Sequence, residues 1–252
     1  MYNPLDLIGK LVLVTGASSG VGRATAIVLS RLGARLILSG RRADALQETL
    51  TFTENRAIHL CSAFDLTNLN EIPKWVAELV EGAGAPLDGT VHCAGVLSHI
   101  PLRAVSAGNI DSMMVPNLHA ALMLLRAVSA KNVAAPTESS VVLISSAATI
   151  VASPGMTTYS ASKAALYAVA RAAAKELAAK RVRVNCIAPA YVRTPMLDHA
   201  AGAIIDFERI EKQQFLGIID PEEVGVMAAY LLSDAARSVT GSQFVMDGGF
   251  TL

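Results

Sequence analysis

The sequence is poor in the features that mark several common kinds of protein. Aromatic residues make up only 5% of its 252 residues against a 52% hydrophobic content, so the expected core is built from Ala, Val, Leu and Ile, and a chain of this length can easily bury one. Only three cysteines occur, Cys61, Cys93 and Cys186, far apart and without C-x-x-C spacing. They suggest neither a disulfide framework nor a zinc site. The five histidines (His59, His92, His99, His119, His199) also lack the spacing of metal ligands, and no metal is expected. Net charge is missing too: 21 Lys plus Arg stand against 21 Asp plus Glu. That removes the electrostatic reason to expect a nucleic acid or an anionic membrane as partner. The longest apolar runs, such as 224–232, fall well short of a membrane span. Near residue 1, Asp6 and Gly9 interrupt the apolar residues and no small-residue cleavage site follows, unlike a signal peptide. A cytoplasmic, soluble protein is expected.

Low-complexity linkers, charge runs and fixed-period repeats are also missing. In their place, short β-branched runs alternate with longer helical patterns. Strands are expected at 11–14, 35–39, 57–62, 89–93, 141–144, 182–187 and 244–246. Helices are expected at 20–32, where Val21, Ala24, Val28 and Leu32 recur at helical spacing and Gly33 ends the run, and at 72–80, 106–131 and 157–179. Asp220-Pro221-Glu222-Glu223 opens a last helix with an N-cap, a proline at the first position and acids on the positive dipole end. Such alternation indicates a parallel sheet covered by helices on both faces. The irregular segment 194–214 follows the sixth strand, where the ligand crevice of such sheets lies, and is a candidate lid.

Thr15-Gly16-Ala17-Ser18-Ser19-Gly20-Val21-Gly22 follows the first strand and opens a helix. Gly16 permits the tight turn, Gly20 lets the backbone approach a pyrophosphate, and Gly22 allows close helix–sheet packing; the helix N-terminus then offers its N–H groups to phosphates. Gly16, Ser18, Ser19, Gly20, Val21 and Gly22 are thus candidate cofactor contacts. The spacing G-x-x-x-G-x-G after a Thr resembles the short-chain dehydrogenase/reductase family, whose signatures run from Lys10 to Gly249. The resemblance implies an α/β fold, a single-domain Rossmann-type doubly wound parallel sheet of about seven strands with helices on both faces. Residues 1–252 would then form one dinucleotide-binding and catalytic domain.

Tyr159-Ser160-Ala161-Ser162-Lys163 matches that family's Y-x-x-x-K motif, with Ser146 thirteen residues before the tyrosine. Residues i and i+4 share a helix face, so Lys163 can lie beside the Tyr159 phenol and lower its pKa from about 10. A phenol so tuned exchanges protons with a substrate oxygen, and Ser146 can hydrogen-bond the same oxygen. Taken alone, Y-x-x-x-K would describe an ordinary half-exposed helix; the glycine turn and Ser146 give it meaning. Asn117 matches the asparagine that completes the family's catalytic group. It follows Pro116, where a helix kink is expected; in the family a kinked helix here holds a water linking the lysine to solvent. By resemblance, Asp65 and Leu66 meet the adenine, Ala94 and Gly95 lie under the adenosine, and Val192 and Thr194 meet the nicotinamide carboxamide. Two departures stand out: His92-Cys93-Ala94-Gly95 where the family has Asn-Asn-Ala-Gly, and Pro189-Ala190 where it has Pro-Gly. His92 and Cys93 are read as packing substitutions.

NAD-binding turns place an acid at the end of the second strand, about 20 residues past the glycine motif. This chain has Ser39-Gly40-Arg41-Arg42 there. A carboxylate would repel a 2′-phosphate, whereas the Arg41 guanidinium would pair with it, so NADP(H) is expected over NAD(H), with NAD(H) possible. The expected activity is NADP(H)-dependent reduction of a ketone or 3-oxoacyl carbonyl to an alcohol, by a homo-oligomer that is tetrameric by resemblance. The chain looks like 3-oxoacyl-carrier-protein reductases and small carbonyl reductases. The alternatives are an NAD-dependent alcohol or steroid dehydrogenase, and a non-catalytic dinucleotide sensor on the same fold.

Overall fold

The structure is a computed structural model that describes residues 3–200, 210 and 212–252, with the backbone alone at 198–200. Its strands are β1 (Leu11–Thr15), β2 (Arg35–Gly40), β3 (Leu60–Ala63), β4 (Gly89–His92), β5 (Ser139–Ile144), β6 (Val182–Pro189) and β7 (Gln243–Met246). The helices are α1 (Gly20–Arg31), α2 (Ala43–Thr51), α3 (Ile72–Ala83), α4 (Ala107–Met114), α5 (Ala120–Val128), α6 (Thr157–Glu176), α7 (Pro195–Ala200) and α8 (Pro221–Leu232). All the strands pair in parallel, in the order β3-β2-β1-β4-β5-β6-β7.

Alternation along each strand sorts the core into two layers. On β1, Val12 and Val14 pack with Val28 and Leu29 of α1 and Ala228 and Leu231 of α8. Leu11 and Leu13 point the other way, toward Val76 of α3 and Leu124 of α5. Further along the second face, Leu143, Val184 and Cys186 pack with Leu166 and Ala170 of α6. Strands buried on both faces read as unbroken apolar runs. The chain winds outward from β1 in one direction to β3 and from β4 in the other to β7, so the order reverses between β1 and β4. Ligands of open α/β sheets bind at this switch point, beyond the strand C-terminal ends.

Three elements differ from expectation, each for a local reason. The run 106–131 is not one helix: between α4 and α5 lies a π-helical segment, Val115–His119, whose second residue is the proline that removes one backbone donor. The third strand starts at Leu60 because Asn55, at φ 50°, leads into a 3-10 turn over Arg56–Ile58. The fourth expected helix, 157–179, ends as an α-helix at Glu176 and tightens into a 3-10 turn over Ala178–Lys180. The expected cap of α8 is present: the Glu223 carboxylate accepts from the Asp220 N–H at 2.9 Å. Of the candidate lid, α7 forms the start, while residues 201–209 and 211 lie outside the described residues.

Candidate active site

A cleft of about 1540 Å³ runs along the C-terminal edge of the sheet. Small-molecule pockets are commonly roughly 300–1,000 Å³, so this one has room for a dinucleotide and a second compound. One end is the β1–α1 turn. Gly16 has φ +68°, and a Cβ there would lie 2.7 Å from the Ala94 nitrogen; a Cβ on Gly22 would lie 2.2 Å from the Gly16 carbonyl oxygen. Close backbone approach therefore demands both glycines, and for Gly22 the neighbour is the turn itself rather than the sheet. Ser19 is the N-cap of α1, but its hydroxyl makes no capping bond, and the first turn carries no acid. The N–H groups of Gly20, Val21 and Gly22 thus keep their positive end uncompensated where these residues line the cleft. A pyrophosphate fits such a terminus. Arg23, one turn on, braces the loop by donating to the Ser18 carbonyl at 2.8 Å and pairing with Glu48 at 2.8 Å.

Around this turn lie the other expected cofactor contacts. Arg41 follows β2 with its side chain exposed at the cleft, and it forms no hydrogen bond or close ion pair among the described residues. Asp65 both lines the cleft and closes its own turn: the Thr67 N–H and hydroxyl each donate to its Oδ1 at 2.9 Å. Those bonds, the N–H foremost, hold its pKa down, with help from the Arg41 charge. Leu66 is buried beside it, and Phe64 is stacked on Trp75 at 4.3 Å. Ala94 and Gly95 form the floor, and Val192 and Thr194 the wall opposite, with the Thr194 methyl against Gly20.

Tyr159 and Lys163 come from the first turns of α6, and Ser146 from the end of the β5 segment; all three line the cleft. The Ser145 hydroxyl donates to the Lys163 carbonyl at 2.9 Å, which pins α6 to that strand end. The Ser146 Oγ accepts from the Ala148 N–H at 3.2 Å and lies near enough to the Tyr159 phenol to favour its charged form. Lys163 Nζ lies 6.0 Å from the centre of the Tyr159 ring and donates to the Ile144 carbonyl at 2.9 Å. Burial lowers its pKa to about 8. The sequence predicts that the lysine depresses the tyrosine's pKa. Here the direction is upward: burial of the phenol outweighs the nearby Ser146 hydroxyl, which favours the charged form. Tyr159 therefore keeps its proton at neutral pH.

Asn117 is fully buried beneath the cleft rather than in its lining. The π-helical turn carries its carboxamide to the floor. Its Oδ1 accepts from the Val96 N–H at 2.8 Å, and its Nδ2 donates to the Val96 carbonyl at 3.0 Å and to the Ser162 Oγ at 3.0 Å. A Cβ on Gly95 would come within 3.1 Å of both the Asn117 Oδ1 and the Lys163 Nζ, so the two polar groups flank that glycine.

A glycine turn with an uncapped helix terminus and a Ser-Tyr-Lys cluster thus share one cleft. A family model described as enoyl-(acyl carrier protein) reductase matches residues 16–251. The oxidoreductase UcpA of Salmonella typhimurium is 33% identical over 98% of this chain and 96% of its own. The 3-oxoacyl-[acyl-carrier-protein] reductase FabG of Thermotoga maritima is 30% identical over 98% of this chain and 100% of its own. A crystal structure of a provisionally assigned short-chain alcohol dehydrogenase from Sinorhizobium meliloti 1021 is 31% identical, covers 98% of each chain and superposes with a TM-score of 0.90. The chain belongs to the short-chain dehydrogenase/reductase family. It is accordingly an NAD(P)(H)-dependent oxidoreductase.

Within that family its departures have physical accounts. His92 is buried at the end of β4, in register with Thr15 of β1, and its Nδ1 shares a 2.9 Å hydrogen bond with the Thr15 hydroxyl. It ties the two strands at the switch point, a packing and bracing role. Burial, with the Lys163 charge behind it, lowers its pKa to about 3, so it is neutral. Cys93 lines the cleft, but burial pushes its thiol up to about 12 and leaves it inert as a nucleophile. Ala190 does not free the following loop, because its N–H donates to the Met246 carbonyl at 2.9 Å. Sequence reasoning missed Arg23, and also His99, Gln213 and Phe250, which line the cleft. None belongs to a motif. Phe250, for one, reaches the site through a partner distant in the chain, meeting Tyr191 edge to face at 5.2 Å.

Proposed function

We propose that the protein is an NADP(H)-dependent carbonyl reductase, acting on ketone or 3-oxoacyl substrates as one dinucleotide-binding and catalytic domain. The observation that carries this reading is the buried Tyr159 phenol facing a dinucleotide-sized cleft beside Ser146 and Lys163. Carbonyl reduction places a developing negative charge on oxygen, and a phenol that holds its proton is suited to supply it. The bound nicotinamide would supply hydride. Tyr159 donates its proton to the carbonyl oxygen, while the Ser146 hydroxyl donates a hydrogen bond to the same oxygen and fixes its position. The Lys163 ammonium would hold the cofactor's ribose hydroxyls and stabilise the phenolate left behind. Asn117 anchors the proton relay by gripping the Val96 backbone and, through Ser162, α6. Run backwards, the same groups oxidise an alcohol.

Arg41 at the cleft edge would receive the 2′-phosphate, with no acid of β2 to oppose it. Val96, Leu97, Val151 and Met156 give the substrate half an apolar wall suited to the carbon flanks of a ketone. The Thermotoga relative, named for a 3-oxoacyl reduction, favours the reductive direction. A cytoplasmic homotetramer completes the reading; no helix of the described residues is long and apolar enough to cross a membrane. A screen of ketones, 3-oxoacyl and enoyl thioesters, quinones and alcohols with both cofactors tests it. The expected result is NADPH oxidation by a ketone or 3-oxoacyl thioester. Turnover confined to alcohols with NAD, or to enoyl thioesters, would overturn it.

A further inference from the structure

Gln214 carries the strongest signal outside the residues already assigned. Its side chain is fully buried, an unusual place for a carboxamide. The Oε1 accepts from the Tyr191 N–H at 3.2 Å, and the Nε2 donates to the Tyr191 carbonyl at 3.1 Å and to the Gly217 carbonyl at 2.7 Å. Both amide hydrogens are therefore in use, and the group is satisfied inside the protein. Bonding the N–H and the C=O of one residue at once is what a neighbouring strand does, and it fixes the plane of both flanking peptides.

The chain beside Tyr191 shows why that matters. Ile219 runs parallel to this stretch: its N–H donates to the Tyr191 carbonyl at 3.1 Å, its carbonyl accepts from the Arg193 N–H at 2.9 Å, and Val192 pairs with it. Gln214 extends this short ladder by one rung through a side chain. The next residues, Val192 and Thr194, line the cleft, with Thr194 against Gly20 of the glycine turn. The seat is tight, since a Cβ on Gly248 would lie 2.8 Å from the Gln214 Cγ. A buried carboxamide contributes little net stability even when bonded, but leaving its partners unpaired is costly. Its effect is to select one backbone setting.

We propose that Gln214 is a positioning residue: it sets the Tyr191 peptides, and through them the orientation of Val192 and Thr194 toward the nicotinamide. This rests on the reading that Val192 and Thr194 face the nicotinamide carboxamide. Gln214 touches neither substrate nor cofactor.

The test compares wild type, Gln214→Leu, Gln214→Glu and Thr194→Val. Each is titrated with reduced cofactor, read by nicotinamide fluorescence, and with whichever of ADP and 2′,5′-ADP the wild type binds. For Gln214→Leu we expect reduced-cofactor affinity to fall about tenfold, the equivalent of one lost hydrogen-bond set, and the emission of the bound nicotinamide to change. Affinity for the adenosine probe should stay at the wild-type value. Gln214→Glu keeps the size and one acceptor but replaces the Nε2 donor, with its two hydrogens, by an acceptor oxygen facing two carbonyls, so it should show the same split and decides the question should the Leu variant not fold. Normal cofactor affinity and emission in a folded Gln214 variant would overturn the proposal, as would equal losses for cofactor and adenosine probe. Thr194→Val separates the two levels: a defect there with a normal Gln214 variant refutes the clamp alone. Normal cofactor emission in Thr194→Val and in both Gln214 variants would remove the nicotinamide reading of the strip as well.

Discussion

The two ends of the cleft are built by different means. At the glycine turn the work is done by backbone: a Cβ on Gly16 or Gly22 would meet main-chain atoms at 2.7 and 2.2 Å, and an uncapped helix terminus presents its N–H groups. At the Tyr159 end, side chains hold the geometry across long stretches of sequence. Asn117 grips Val96, Ser145 grips the Lys163 carbonyl, and Gln214 grips Tyr191. A backbone site tolerates many side chains nearby so long as its glycines remain. A site clamped by carboxamides and hydroxyls can be retuned by single substitutions far from the chemistry. The difference predicts that changes at the second end alter turnover while leaving binding at the first intact.

The largest expected effect isolates the second end. Tyr159→Phe keeps the ring and its packing but removes the proton donor, so kcat should fall by at least about 100-fold, the low end for a general acid. The glycine turn is untouched, and cofactor affinity should stay near the wild-type value in a fluorescence titration. Near-normal turnover would remove Tyr159 from its role; a matching loss of cofactor affinity would erase the distinction between the two ends.

The next effect isolates the first end. Arg41 is exposed at the cleft, within electrostatic reach of Asp65. Arg41→Ala should weaken NADP(H) by roughly 1.5–3 kcal/mol, the scale of a charged hydrogen bond, which is about 10- to 150-fold. Affinity for NAD(H) should change little, as should kcat at saturating cofactor. Dissociation constants for both cofactors in wild type and variant decide it, and equal losses for the two, or a wild type that prefers NAD(H), would sink the assignment.

The same contrast explains what could be read from the sequence. The glycine turn, the Tyr159–Lys163 pair and the strand–helix alternation are local codes, fixed by spacings of a few residues, and each lies where its spacing puts it. Pro116 announced a break in its helix, but that the break is a π-turn burying Asn117 under Val96 depends on a partner 21 residues away. Gln214 and Tyr191 are 23 residues apart, and nothing in Gln213-Gln214-Phe215 signals a buried amide. The direction of the Tyr159 pKa was misread for a related reason. Helical spacing brings the lysine near, but burial of the phenol by the rest of the fold sets the direction.

The smallest expected effect concerns the switch point between the two ends, and it is invisible at pH 8. His92 bridges β4 to Thr15 of β1, is fully buried, and has an Nε2 with no partner among the described residues. Its folded pKa is lowered from 6.5 to about 3, by burial first and the Lys163 charge second. As the pH falls, the unfolded chain takes up this proton before the folded one does. The stability linked to His92 is therefore complete above pH 6.5 and is lost progressively toward pH 3. At pH 5 the loss from this group alone should be about 2 kcal/mol. Asparagine can still bond Thr15 and carries no titrating group, so His92→Asn should match wild type in urea unfolding at pH 8 and be the more stable of the two at pH 5. His59, which is also buried with a lowered pKa, is present in both proteins and cancels in the difference. Equal acid losses in wild type and variant would mean that His92 is not held neutral in the fold, and that the strand bridge at the switch point accommodates a charge.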